Sequence, residues 1–167
     1  MIRSIFQRES SILLLSNPPV NSLAHPIRKN LLMELDRAIS RKSKSIIIAG
    51  EGKIFSGGAD LKEFMKGNHL MEPNLWQMIE YLDTVNIPLT AFVHGAVVGG
   101  GFETAIACHW RVATPGARFG LPEVHIGIIP GTNLIGYTFD KEIYAHYKER
   151  EVPNDFRDLQ DLKNLTK

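Results

Sequence analysis

The sequence predicts an α/β domain with mostly parallel strand pairing. Three observations carry that expectation. Short, β-branched apolar runs at Ser45–Ala49 and Pro88–His94 alternate with stretches of helical spacing over 26–40 and 76–84. Each run leads into a glycine-rich turn, Gly57-Gly58-Ala59 in one case and Gly99-Gly100-Gly101 in the other. A helix start follows each turn, and no repeat or low-complexity tract interrupts the order.

Taken along the chain, Ile12–Leu15 reads as a strand that Asn17-Pro18-Pro19-Val20-Asn21 breaks. Between Pro26 and Ser40, residues Ile27, Leu31, Leu32, Leu35, Ala38 and Ile39 share one helical face. Ser45–Ala49 is a buried strand that runs through Gly50-Glu51-Gly52 to Phe55-Ser56-Gly57-Gly58-Ala59-Asp60, where a helical segment begins. Trp76–Thr84 is a second amphipathic helix, Pro88–His94 a second buried strand, and Gly95–Gly101 a glycine-dense turn that continues as a helix over Phe102–Cys108. Arg111–Thr114 and Ala117–Gly120 are short strands, followed by Pro122-Glu123 and the apolar run Ile126–Ile129. After Gly131 the composition changes, and Asp140–Lys167 is dense in both charge signs. The expected division is a core over 1–131 and a solvated, charged tail over 132–167.

Composition narrows the function. The 167 residues, 44% hydrophobic and 22% charged, suit one globular domain with a real core. A net charge of +1 without any basic run gives no reason to expect a nucleic-acid-binding face. No apolar stretch approaches the ~20 residues that cross a bilayer, so no membrane association is expected. The N-terminus lacks the apolar segment of a secretory signal. Cys108 stands alone, so no internal disulfide forms and a reducing compartment is the natural setting.

The glycine turns point to anion stabilisation. N–H groups at a helix start have no intrahelical partner, and the helix dipole adds positive potential there. The nucleotide-binding patterns are missing: Gly99, Gly100 and Gly101 are contiguous, and Glu103 would repel a phosphate. Tight turns would explain one such loop. Two of the same design favour an oxyanion hole. Glu103, in a first helical turn, is explained by the dipole alone. Glu123 follows Pro122 among Val124, Ile126, Ile128 and Ile129, apolar surroundings that suit a proton donor, although either glutamate taken alone is more often a solvated or capping residue.

These runs together carry a resemblance. Gly99-Gly100-Gly101-Phe102-Glu103-Thr104-Ala105, Phe119-Gly120-Leu121-Pro122-Glu123-Val124, Gly127-Ile128-Ile129-Pro130-Gly131 and Phe55-Ser56-Gly57-Gly58-Ala59-Asp60-Leu61-Lys62 resemble the enoyl-CoA hydratase/isomerase (crotonase) family over residues 10 to 131. Asn17-Pro18-Pro19-Val20-Asn21 and Cys108-His109-Trp110-Arg111-Val112-Ala113 are similar to the N-terminal hydratase/isomerase module of peroxisomal bifunctional β-oxidation enzymes.

The resemblance implies a crotonase-like ββα spiral core. It implies hydration of 2-enoyl-CoA thioesters to 3-hydroxyacyl-CoA in fatty-acid β-oxidation, with double-bond isomerisation as a second outcome. Glu103 and Glu123 would be catalytic, and the amides of Ala59 and Gly100 would form the oxyanion hole. Gly57, Gly58, Asp60, Lys62, Gly99, Gly101, Pro122 and Gly131 would line the substrate and CoA site. Lys62 is equally well explained as a plain surface lysine. CoA would arrive as part of the substrate, with no metal and no other cofactor. The family implies trimers, or a module of a larger chain, and a peroxisomal setting. The chain carries no peroxisomal address at Leu165-Thr166-Lys167, which leaves the cytoplasm as the other compartment.

His94, His109 and Cys108 read as structural, and so does His125. The chain departs from the family after Gly131, where the covering helices are expected, so the fold is expected to be incomplete at its C-terminus. A non-catalytic chain that binds acyl-CoA weakly or pairs with full-length subunits is the alternative reading, and thioester hydrolysis is a competing activity.

Overall fold

The computed structural model describes residues 1–123. The tail expected over 132–167, together with His125, Gly131 and Ile126–Ile129, lies outside the described residues.

A five-stranded sheet organises the chain, in the order β1 (Ile2–Gln7), β2 (Ser10–Leu15), β3 (Ser45–Gly50), β4 (Leu89–Val93) and β6 (Trp110–Ala113). β1 and β2 form an antiparallel hairpin, and every other pair in this sheet is parallel. A small second sheet pairs β5 (Ala96–Val98) in parallel with β7 (Arg118–Gly120). Among the described residues no helix is long and apolar enough to cross a membrane.

The parallel strands form where the sequence is apolar on both faces. Every position of β3 and β4 is buried, as a strand sandwiched on two sides requires. One face (Leu13, Leu15, Ile46, Ile48, Leu89, Ala91, Val93) packs with the helices. The other gathers Ile12, Leu14, Ile47, Ala49 and Phe92. α1 (His25–Ser40) buries Ile27, Leu31, Leu35 and Ala38, while Ile39, expected on the same stripe, is 38% exposed at its edge. Leu31 and Leu35 are fully buried, each contributing roughly 1.5–3 kcal/mol.

Caps set the helix limits. α3 (Leu75–Thr84) starts with a capping box: Asn74 accepts from the Gln77 N–H, and Gln77 accepts from the Asn74 N–H, both at 2.9 Å. α1 has Pro26 in its first turn, and its His25 N–H is accepted by the Glu63 carboxylate at 2.5 Å. α2 (Leu61–Met65) has only five residues, and a short 3-10 turn follows at Asn68–Leu70.

Three elements differ from the sequence expectation. β1 is a strand whose mostly exposed edge gives no apolar run to recognise. β5 lies inside the expected glycine turn. α4 (Gly100–Ala107) begins two residues earlier than the apolar pattern suggests, because Gly100 and Gly101 are helical. Glycine is a poor helix former, and packing decides its state here.

Candidate active site

The first loop begins where β3 ends. Asn21 braces it: a left-handed residue (φ 48°) and 3% exposed, it donates through Nδ2 to the carbonyls of Glu51 and Ile54 at 2.8 and 3.0 Å. Asparagine tolerates that conformation better than most residues. Ser56 Oγ donates to the Asn21 carbonyl at 2.8 Å and accepts from the Gly58 N–H at 3.0 Å. The Gly57 N–H donates to the Val20 carbonyl at 2.7 Å, and the Leu23 N–H donates to the Gly58 carbonyl at 2.8 Å.

That last bond orients a neighbouring donor. The Gly58 carbonyl and the Ala59 N–H belong to one planar peptide, so holding the oxygen aims the N–H the opposite way. Among the described residues the Ala59 N–H has no acceptor. Ala59 is not a helix-start residue, since Asp60 separates it from α2. Hydrogen bonds, rather than a helix dipole, hold this amide in place.

The second loop follows the helix-start design that the sequence suggests. Gly99 (φ 53°) is the N-cap of α4, and its N–H donates to the Gly120 carbonyl at 2.9 Å. Its carbonyl accepts from the Glu103 N–H at 3.0 Å, which fixes the peptide that carries the Gly100 N–H. As the first residue of α4, Gly100 has an N–H without an intrahelical acceptor.

Strand-like bonds draw the loops together. Ser56 bridges Val97 in parallel, and the Val98 N–H donates to the Ser56 carbonyl at 3.1 Å. An ideal Cβ on Gly100 would lie 3.5 Å from the Ala59 nitrogen, so the two amides are neighbours. The same Cβ would lie 2.6 Å from Leu75 Cδ2, which therefore roofs Gly100.

The other glycines face the protein itself. A Cβ on Gly58 would meet the Val98 carbonyl at 2.8 Å, on Gly101 the Ser56 side chain at 2.7 Å, and on Gly57 the Val20 side chain at 3.2 Å. Their lack of a side chain is accounted for by loop-on-loop packing, which the sequence left open as tight turns.

Gly99 meets the Glu123 carboxylate and accepts the backbone N–H of Glu103. Glu103 is buried in the first turn of α4. Glu123 follows β7 and is half-buried, with Oε1 2.5 Å from where a Gly99 Cβ would stand. Glu123 Oε2 is buried and has no hydrogen-bond partner among the described residues. Phe102 and Phe119 pack with ring centroids 5.5 Å apart, tying α4 to β7.

The remaining candidates are peripheral to this cluster. Asp60 caps α2 by accepting the Lys62 N–H at 2.9 Å and takes the Ser22 hydroxyl at 3.1 Å. Lys62 and Pro122 are exposed. His109 Nδ1 accepts from the Leu89 N–H at 3.0 Å, and one ring nitrogen of His94 pairs with the Gly52 carbonyl at 2.9 Å. Cys108 is buried, and desolvation pushes its thiol up to about 12, with nearby Arg111 opposing the shift. Sequence reasoning gave no role to Asn21, Ser56 or Leu75. The only signal was an asparagine closing the Pro-Pro turn.

Comparison with known proteins gives consistent results. A profile of the enoyl-CoA hydratase/isomerase family matches residues 8–143. A probable enoyl-CoA hydratase of Bacillus subtilis is 44% identical over 127 residues, covering 72% of this chain and 49% of that protein. A peroxisomal bifunctional enzyme of Danio rerio is 39% identical over 127 residues, covering 75% of this chain and 17% of that protein. The chain thus spans about half the length of the first relative and a smaller share of the second. Among solved structures, an enoyl-CoA hydratase subunit of Geobacillus kaustophilus superposes with a TM-score of 0.71 at 30% identity, covering 78% of this chain and 52% of that one.

Proposed function

The chain belongs to the enoyl-CoA hydratase/isomerase family, and from that premise we propose that it adds water across the 2,3 double bond of an enoyl-CoA thioester. One observation carries the reading. The Ala59 nitrogen lies 3.5 Å from the Cβ position of Gly100, with a carboxylate on the adjacent Gly99.

In this reading the thioester carbonyl oxygen accepts hydrogen bonds from the Ala59 and Gly100 N–H groups. Attack at C3 pushes electron density onto that oxygen, and each prepositioned donor is worth about 3 kcal/mol against that charge. Glu103 takes a proton from water as its hydroxyl bonds to C3. Glu123 gives a proton to C2 as the enolate collapses. Water is consumed whole: hydroxyl at C3, and a net proton at C2 once the carboxyls re-equilibrate. Isomerisation would use the same carboxylates to move a proton between carbons without water. CoA enters as part of the substrate, and Lys62 would meet its phosphates. The Danio rerio relative's name supports a place in a peroxisome, and other relatives named for β-oxidation support that pathway.

The test is hydration of crotonyl-CoA by the purified chain, followed by loss of enoyl absorbance. Turnover that disappears in Glu123→Gln supports the reading. A folded chain that binds the thioester without turnover rejects it in favour of a non-catalytic acyl-CoA binder. Release of free thiol would identify a thioester hydrolase instead.

A further inference from the structure

Arg28 touches neither of the two amides described above, yet its guanidinium bonds to segments that lead to the Ala59 peptide and to the residue that covers Gly100. Its side chain is 3% exposed. Nη1 donates to the Leu23 carbonyl at 2.7 Å and to Glu63 Oε2 at 2.8 Å. Nε donates to the Pro73 carbonyl at 2.8 Å, and Nη2 reaches the Met71 carbonyl at 3.5 Å.

Two routes lead from this hub. On one side, Leu23 gives its carbonyl to Arg28 and its N–H to the Gly58 carbonyl, the oxygen of the peptide that carries the Ala59 N–H. On the other side, Pro73 adjoins Asn74, the N-cap of α3, and the first residue of that helix is Leu75, which roofs Gly100. Glu63 closes the knot, with Oε2 on Arg28 and Oε1 on the His25 N–H at the start of α1.

Resting on the function proposed above, we propose that Arg28 is a positioning residue that sets the spacing and direction of the Ala59 and Gly100 amides. Arginine fits this task because its planar fork serves several acceptors in fixed directions, whereas the compact ammonium of lysine cannot span carbonyls on opposite sides. A buried ion pair is weak evidence of net stabilisation. Its geometric role is the stronger reading here, because the Leu23 bond ends on the residue that holds the Ala59 peptide, and the Pro73 bond ends beside the cap of α3, whose Leu75 covers Gly100.

The experiment compares the full chain with Arg28→Lys, Arg28→Met and Glu63→Gln. Circular dichroism and thermal melting establish that each variant is folded. Two readouts follow: kcat and KM for crotonyl-CoA, and the absorption red shift of cinnamoyl-CoA at saturation. That shift reports polarisation of the thioester carbonyl per bound molecule, so it does not depend on the fraction folded. Arg28→Met is expected to lower kcat by about 10- to 100-fold, with a smaller red shift and a much smaller change in KM. Arg28→Lys and Glu63→Gln change in the same direction by less.

Folded Arg28→Met with the wild-type red shift and kcat overturns the proposal, even if it melts earlier. If that variant does not fold, a folded Arg28→Lys with wild-type values does so. Wild-type protein that shows neither red shift nor hydration refutes the oxyanion reading of Ala59 and Gly100 and removes this proposal with it. A normal wild type beside unchanged variants overturns the role of Arg28 alone.

Discussion

The Glu123 carboxylate rests on the backbone of Gly99, with Oε1 2.5 Å from the position a Cβ would occupy there. Gly99 also caps α4, donates to the Gly120 carbonyl, and accepts the Glu103 N–H. One residue without a side chain therefore locates a carboxylate, a helix start and the strand that delivers the carboxylate.

Gly99→Ala tests that arrangement. The added methyl must displace Glu123, and φ 53° is strained for alanine. Backbone strain of this type costs about 1–3 kcal/mol. The expected result is a lower melting temperature and a loss of hydration at least as large as that in Glu123→Gln, measured on folded protein.

Glu103→Gln should leave the fold in place, because the amide is nearly isosteric with the carboxylate. The crotonyl-CoA assay should show kcat reduced by roughly 10²- to 10⁴-fold, the usual contribution of a positioned base. A Glu103→Gln protein with wild-type kcat would remove this residue from the mechanism.

Asn21→Ala removes the amide donor to the Glu51 and Ile54 carbonyls and places alanine at φ 48°. Carbonyls left unsatisfied by such a change cost about 1–3 kcal/mol each. Urea denaturation should show a lower midpoint. Hydration should fall with it, because Ser56, whose Oγ accepts the Gly58 N–H, donates to the Asn21 carbonyl.

The Cys108 thiol, pushed up to about 12 by burial, holds almost no thiolate at pH 8. Iodoacetamide should leave the native protein unmodified at that pH and label it fully in denaturant. The sign for stability follows from the raised value. The neutral thiol favours the folded state, so its contribution is complete below an unfolded value near 9 and fades as pH rises toward 12. Cys108→Ser should flatten that part of the stability profile, as followed by melting across alkaline pH.

Much of the fold was legible because its signals are local. β3 and β4 carry short apolar runs, Ile46–Ala49 and Ala91–Val93, so they read as sandwiched strands from composition alone. α1 and α3 announce themselves by periodic apolar residues, whereas the Asn74 cap that starts α3 emerged from the structure. The glycine and glutamate motifs led to the family, and with it to the crotonase-type α/β fold that the solved relatives share. β1 and β5 were missed for a physical reason. An exposed edge strand and a three-residue strand inside a glycine run gain their identity from partners, not from their own side chains.

By itself, the sequence determined which residue types the site contains: two glycine loops and two glutamates on strands and helices of readable period. The tertiary structure decided how they are held. It assigned Gly58 and Gly101 to loop packing, made Ala59 a donor without a helix behind it, and gave Asn21 and Arg28 their bracing roles. The reason is the reach of the interactions. Periodicity acts over one or two turns of chain, whereas Arg28 meets its carbonyl partner Pro73 45 residues away, an acceptor that every residue type carries and no sequence pattern marks.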